Sequence, residues 1–168
     1  DAMNGGLRNS FSTMGANGFT VAYKERFRFG NDEQTEKVDK SKKVKKSNLD
    51  KPIELSQAEL FKSQFNYPGI VSIGLSGPGN NEIHYKNKKT NPKVNMRGGD
   101  ENFLQVNGFS IEAGRNFNLL DVHTGRNVCI LGNDVAVKLF GDRKDNAVDR
   151  IVNVGGLPYR VLAVLKPK

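Results

Sequence analysis

Asn127-Val128-Cys129-Ile130-Leu131-Gly132-Asn133-Asp134-Val135-Ala136-Val137-Lys138-Leu139-Phe140-Gly141 is the stretch on which the fold class turns. Its first part, within residues 126–131, is a short apolar run rich in β-branched side chains, which predicts a strand. The chain then changes period. Val135, Ala136, Leu139 and Phe140 recur at helical spacing, so a helix is predicted over 134–140. Asn133 suits the N-cap and Gly141 the C-terminal stop. Further on, residues 150–154 and 158–165 alternate apolar and polar around Gly155-Gly156, a hairpin signal. Strands that run into helices beside strands that fold back as hairpins define an α+β class, a mixed sheet with packed helices.

Upstream the same mixture continues. Ser56-Gln57-Ala58-Glu59 has the form of a capping box and opens a predicted helix over 56–66, with Leu60, Phe61 and Phe65 as its apolar stripe and Pro68-Gly69 as its end. Residues 69–75, 82–86 and 93–97 read as strands, with Asn87 to Pro92 as the turn between the last two. Phe103 to Val106 reads as a short helix or turn. Phe19, Val21, Tyr23, Phe27 and Phe29 share one parity, interrupted at Glu25, and predict a half-buried strand over 19–29. Met3, Leu7, Phe11 and Met14 lie on one helical face that ends at Gly15. No internal repeat is present.

At 168 residues the chain is of single-domain size and long enough to bury a core without staples. The net charge of +8 is concentrated. Residues 37–46 hold six Lys and one Asp, while the remaining chain, with 20 Lys and Arg against 17 Asp and Glu, is only +3. Residues 30–51 as a whole are polar and read as a flexible basic loop. Cys129 is the single cysteine, so it forms no internal disulfide. In its apolar run it reads as a small core residue. No run approaches the ~18–20 apolar residues of a membrane helix, and no signal peptide is visible. The chain opens on Asp1-Ala2-Met3, as a fragment excised from a longer protein would.

Chemistry-bearing groups are few. His84 and His123 have no second His or Cys at metal spacing; His84 reads as a strand residue and His123 as a loop residue. Ser76-Gly77-Pro78-Gly79 and Gly98-Gly99 lack the following helix start and Lys of a phosphate cradle, so they read as turns. Arg115 and Asp121 flank Asn116-Phe117-Asn118 and suit a loop-orienting salt bridge. No acid, base and nucleophile converge, so the expectation is no enzyme, no catalytic or metal residue and no cofactor. The Lys37–Lys46 segment offers an alternative function, a basic module for nucleic acid or an anionic surface, with Tyr23, Phe27 and Phe29 as stacking groups. Against it, a nucleic-acid binder spreads its cations over a folded face.

The order of several segments resembles one family. These are Arg97-Gly98-Gly99-Asp100-Glu101-Asn102-Phe103-Leu104, Glu112-Ala113-Gly114-Arg115-Asn116-Phe117, the 127–141 stretch and Tyr159-Arg160-Val161-Leu162-Ala163-Val164-Leu165. Gly15-Ala16-Asn17-Gly18-Phe19-Thr20-Val21 and Pro68-Gly69-Ile70-Val71 extend the match. The sequence resembles the periplasmic core domain of MacB-like and FtsX-like ABC-transporter permeases. The resemblance implies a porter-like α+β module, often with a small inserted α/β subdomain, lying outside the inner membrane between transmembrane helices one and two. Residues 1–168 would form one such domain, with 1–15 as the stub of the stalk helix after the first transmembrane helix. The family domain usually continues beyond the position of Lys168, so a truncated or a short member is expected. The implied role is non-catalytic: coupling ATP-driven helix motion, in efflux, lipoprotein release or transmembrane signalling, to a periplasmic partner. That partner would be an adaptor, a lipoprotein carrier or a cell-wall enzyme. The parent would be a dimer carrying or recruiting an ATPase, and the isolated domain a monomer.

Overall fold

A computed structural model describes residues 18–23, 51–91 and 93–167. The predicted helix over 3–14, most of the basic loop 30–51 and the Lys37–Lys46 segment lie outside the described residues.

The longest strand is the spine of the molecule. β8 (Leu157–Leu165) pairs antiparallel with β7 (Ile151–Val154) along its first half and with β5 (Ile111–Gly114) at its end. Across its middle it pairs parallel with β6 (Val128–Leu131). β7 in turn pairs with β2 (Ile83–Tyr85), and β2 with β3 (Lys88–Lys89), which completes a six-stranded mixed sheet. Because β8 has neighbours along its length, Val161, Leu162, Ala163 and Val164 are all buried. A strand covered on both faces reads as a continuous apolar run, as this one does. The hairpin predicted at Gly155-Gly156 forms. Both glycines have positive φ, 57° and 85°, the backbone hand that a tight β-hairpin turn requires.

The strand-to-helix reading of 127–141 also holds. α4 (Asn133–Phe140) follows β6 after a one-residue link and lays Ala136 and Leu139 onto the sheet. These join Ile83, Leu131, Ala147, Val152, Val161 and Val164 in one core, with the Tyr85 and Phe140 rings in tilted contact at 4.3 Å. The N-cap falls on Gly132 rather than Asn133, and Gly141 ends the helix at φ 74°. A 3₁₀ segment, Gly141–Ala147, then returns the chain to β7.

The 51–110 region departs from expectation in detail. α1 (Leu55–Gln64) forms, but its capping box spans Glu54 and Gln57, not Ser56 and Glu59. The Gln57 side chain accepts from the Glu54 N–H at 3.1 Å. Its predicted stripe is not a buried face: Leu60 and Phe61 are 56% and 52% exposed. The helix is tied down by an ion instead. Lys62 Nζ lies 2.6 Å from both Asp100 and Glu101. The strand expected over 69–75 narrows to β1 (Gly74–Ser76), which pairs with β4 (Arg97–Gly99) as a separate two-stranded sheet. Ile73 is lost to it because Asp100 takes both its polar groups: Ile73 N–H donates to Asp100 Oδ2 at 2.9 Å, and Asp100 N–H to Ile73 O at 3.1 Å. The turn expected over 87–92 closes earlier, at Lys86-Asn87. Thr90 satisfies Ile83 through both its hydroxyl and its backbone N–H. Of the expected 93–97 strand, Val94 makes an isolated bridge to Asn81 and Arg97 opens β4. α2 (Phe103–Val106) is the short helix expected there. Of the strand expected over 19–29, residues 19–23 carry none, with Phe19 and Val21 exposed, and 24–29 lie outside the described residues. His123, expected in a loop, ends a short helix, α3 (Leu119–His123).

Candidate functional site: an arginine-lined concavity

The site is assembled around the exit of β5. Gly114 sits at φ 89°, and a Cβ there would lie 2.1 Å from Leu162 O, so only glycine lets β5 approach β8 this closely. The next N–H, of Arg115, can then reach Leu162 O at 3.1 Å. Asn118 caps α3. Its Oδ1 accepts the Asp121 N–H at 2.7 Å, and Asp121 Oδ2 accepts the Asn118 N–H at 3.2 Å. This reciprocal box holds Asp121 in place, 3% exposed, where Arg115 Nη1 meets Oδ2 at 2.7 Å. The Arg115 hydrogen bond, together with the Asn118 N–H, holds the Asp121 carboxyl below the usual range against its own burial. The same bond raises Arg115 further. The salt bridge expected between these two residues is therefore present, and it orients the loop.

Two further arginines meet there. Arg126 Nη1 is 3.8 Å from Asp121 Oδ1, and Arg160 Nε is 3.9 Å from Asp149 Oδ1. They come together through the parallel register of β6 on β8, which sets Val128 opposite Arg160. The result is an open concavity of about 690 Å³, walled by Arg115, Asp121, Arg126, Asp149 and Arg160 and floored by Gly114, Val128 and Leu162. Sequence reasoning found Arg115 and Asp121, six residues apart. It missed Arg126, Asp149 and Arg160, because nothing local marks them: the register of two distant strands joins them.

A second polar knot lies away from it. Asp100, 5% exposed, accepts from Lys62, Ser72, Ile73 and Asn102. Burial pushes its carboxyl up, but the Lys62, Ile73 and Ser72 hydrogen bonds outweigh that and leave it below the usual range. Burial likewise pulls Lys62 down, and its bonds to Asp100 and Glu101 raise it overall. This is structural bonding, with every acceptor engaged.

The groups that could do chemistry are dispersed. His84 is an exposed strand residue with its Nε2 3.0 Å from Glu82 Oε1, and neither it nor His123 lines the concavity. Cys129 packs against the core, and burial pushes its thiol up to about 12. Gly77-Pro78-Gly79 follows β1, with Gly77 N–H on Met96 O at 2.9 Å. Among the described residues no group of His, Cys, Asp and Glu is placed to hold a metal ion, and no helix is long and apolar enough to cross a membrane. The arrangement at the concavity suits binding of an anion: three guanidiniums carried on hydrogen-bonded backbone.

The fold has solved counterparts. The periplasmic region of MacB from Actinobacillus actinomycetemcomitans superposes with a TM-score of 0.60 at 23% identity, over 68% of this chain and 51% of that one. The extracellular domain of the noncanonic ABC-type transporter YknZ from Gram-positive bacteria gives 0.55 at 23%, over 68% and 58%. The fold is thus the porter-like α+β module. In sequence, the macrolide export ATP-binding/permease protein MacB of Chromobacterium violaceum is 36% identical over 83 residues, 49% of this chain and 12% of that protein. The uncharacterized ABC transporter permease YknZ of Bacillus subtilis is 30% identical over 98 residues, 58% of this chain and 24% of that protein. The matched region is a quarter or less of either relative. The profile of the MacB-like periplasmic core domain matches residues 2–168, and the chain belongs to that family. It is a periplasmic domain of the ABC-permease type.

Proposed function

We propose that this domain is non-catalytic and couples the motion of permease membrane helices to a partner protein in the periplasm, in efflux, lipoprotein release or transmembrane signalling. The observation that carries this reading is the family match from residue 2 to residue 168. The dispersal of His84, His123 and Cys129 supports it. In this reading residues 1–168 are one core domain, 1–15 are the foot of the stalk helix that enters from the first transmembrane helix, and 30–51 are a flexible basic loop. The parent protein sits in the inner membrane as a dimer and works with an ATPase domain or subunit, and the isolated domain is a monomer. The partner is an adaptor, a lipoprotein carrier or a cell-wall enzyme. Motion reaches it through a rigid body moved by helices, with the domain presenting a surface.

The test is made on the untruncated gene product in its own cells. An antibody to this domain should find it in the inner-membrane fraction, cleaved by added protease only once the periplasm is opened. A soluble cytoplasmic product would overturn the reading and bring forward the nucleic-acid or anionic-surface role of Lys37–Lys46.

A further inference from the structure

We infer that the concavity between β6, β8 and the β5 exit is the docking point for a carboxylate side chain on an acidic segment of a partner protein. The inference deepens the proposed coupling role and rests on it for the identity of the occupant as a protein.

The first observation is spare donor capacity. Among the described residues neither Arg126 nor Arg160 donates a side-chain hydrogen bond. Their nearest carboxylates, at 3.8 and 3.9 Å, are beyond hydrogen-bonding reach. Arg115, by contrast, is spent on Asp121 at 2.7 Å. Two planar guanidiniums with free edges face one open volume. A carboxylate has two oxygens that match such an edge, as a phosphate also does.

The second observation concerns what the wall does not offer. The backbone N–H groups of Arg115, Arg126, Val128, Asp149 and Arg160 are all bonded to carbonyls of the chain itself. A phosphate site often draws on several free backbone N–H groups together, at a helix N-terminus or a nest, and these five are taken. Asp121 and Asp149 also stand in the wall, so the five ionised side chains sum to only +1. One carboxylate neutralises that charge, whereas a phosphate dianion overshoots it and leaves the wall with a net negative charge. The balance favours one carboxylate over a phosphate.

The third is accessibility on a fixed frame. Arg126 and Arg160 side chains are 57% and 64% exposed. Their backbones are held by Arg126 N–H on Asp121 O at 3.3 Å and Arg160 N–H on Asn127 O at 2.9 Å. A partner's side chain can enter without rearrangement of the strands.

The test is a ¹H–¹⁵N titration of the 168-residue chain with an end-capped hexaglutamate peptide at low ionic strength, run in parallel with inorganic phosphate. The expected result is movement of the Arg126 and Arg160 Nε–H signals and of the amides near 126–128, 148–150 and 160. Arg126→Gln with Arg160→Gln should weaken the peptide about tenfold or more, and the paired Lys variant, which keeps the charge and loses the fork, should fall between. Both side chains are exposed, and an unchanged melting temperature confirms that the variants fold. Phosphate binding as tightly as the peptide, shifts confined to Lys37–Lys46, or an affinity unchanged in the double Gln variant would each overturn the proposal. Failure of the coupling role reads out separately. A cytoplasmic parent whose concavity still binds glutamate removes the partner reading, whereas a periplasmic parent with an unresponsive concavity removes this site alone.

Discussion

Asp100 shows how one residue settles the geometry of a region. Its side chain gathers donors from α1, from the segment before β1 and from its own turn, at 2.6 to 3.2 Å. Replacing it by Ala leaves Ser72 and the Ile73 N–H without that acceptor at a nearly buried position, and Lys62 with Glu101 alone. Asp100→Ala is expected to cost about 2–3 kcal/mol, read from urea midpoints, because a buried donor left unmade costs more than an average hydrogen bond contributes. A loss under half a kilocalorie would mean that water replaces the carboxylate without penalty. In the sequence, Asp100 is only the residue after Gly98-Gly99. Three of its four partners lie 27 to 38 residues away, so no local rule could have picked it out. Arg115 and Asp121 were legible because they are close in the chain and share an Asn-capped turn.

Elements differ in how far their own sequences account for them. α4 carries a stripe that matches its burial, and β7 with β8 carries a glycine turn of the right hand; both formed where they were expected. α1 has helix-forming residues and an apolar stripe, yet none of its residues is buried. It is attached by Lys62 and by Phe65, whose ring contacts Phe61 at 5.6 Å and Tyr67 at 5.9 Å. Native-state hydrogen exchange should therefore protect the amides of β8 to the level of global unfolding and release those of α1 several orders of magnitude sooner. Equal protection in the two would place α1 in the same cooperative unit as the sheet. A Lys62→Ala exchange should speed α1 further and leave β8 as it is.

For the whole molecule, acid is the condition that reaches both polar knots together. Asp100 and Asp121 are each held below the ordinary carboxylate value of 3.8 in the folded state. A group whose pKa is lowered by folding contributes stability above its unfolded value and loses it as pH falls through the folded value. Their contributions should thus be level from pH 7 to 5 and decline only as pH is taken below about 4. Denaturant midpoints at stepped pH give the check, and a steep decline already between pH 7 and 5 would assign the sensitivity to other groups. What the sequence alone determined was the α+β class, the strand-to-helix stretch at 127–141, the closing hairpin and, through the order of its motifs, the family. These follow from periodicity, turn chemistry and caps, which act over a few residues. Only the tertiary structure decided that α1 leaves its stripe exposed, that Asp100 takes Ile73 out of β1, and that Arg126, Asp149 and Arg160 share one concavity. Those outcomes depend on strand register and on hydrogen-bond competition between segments far apart in the chain, and neither is written in any local pattern.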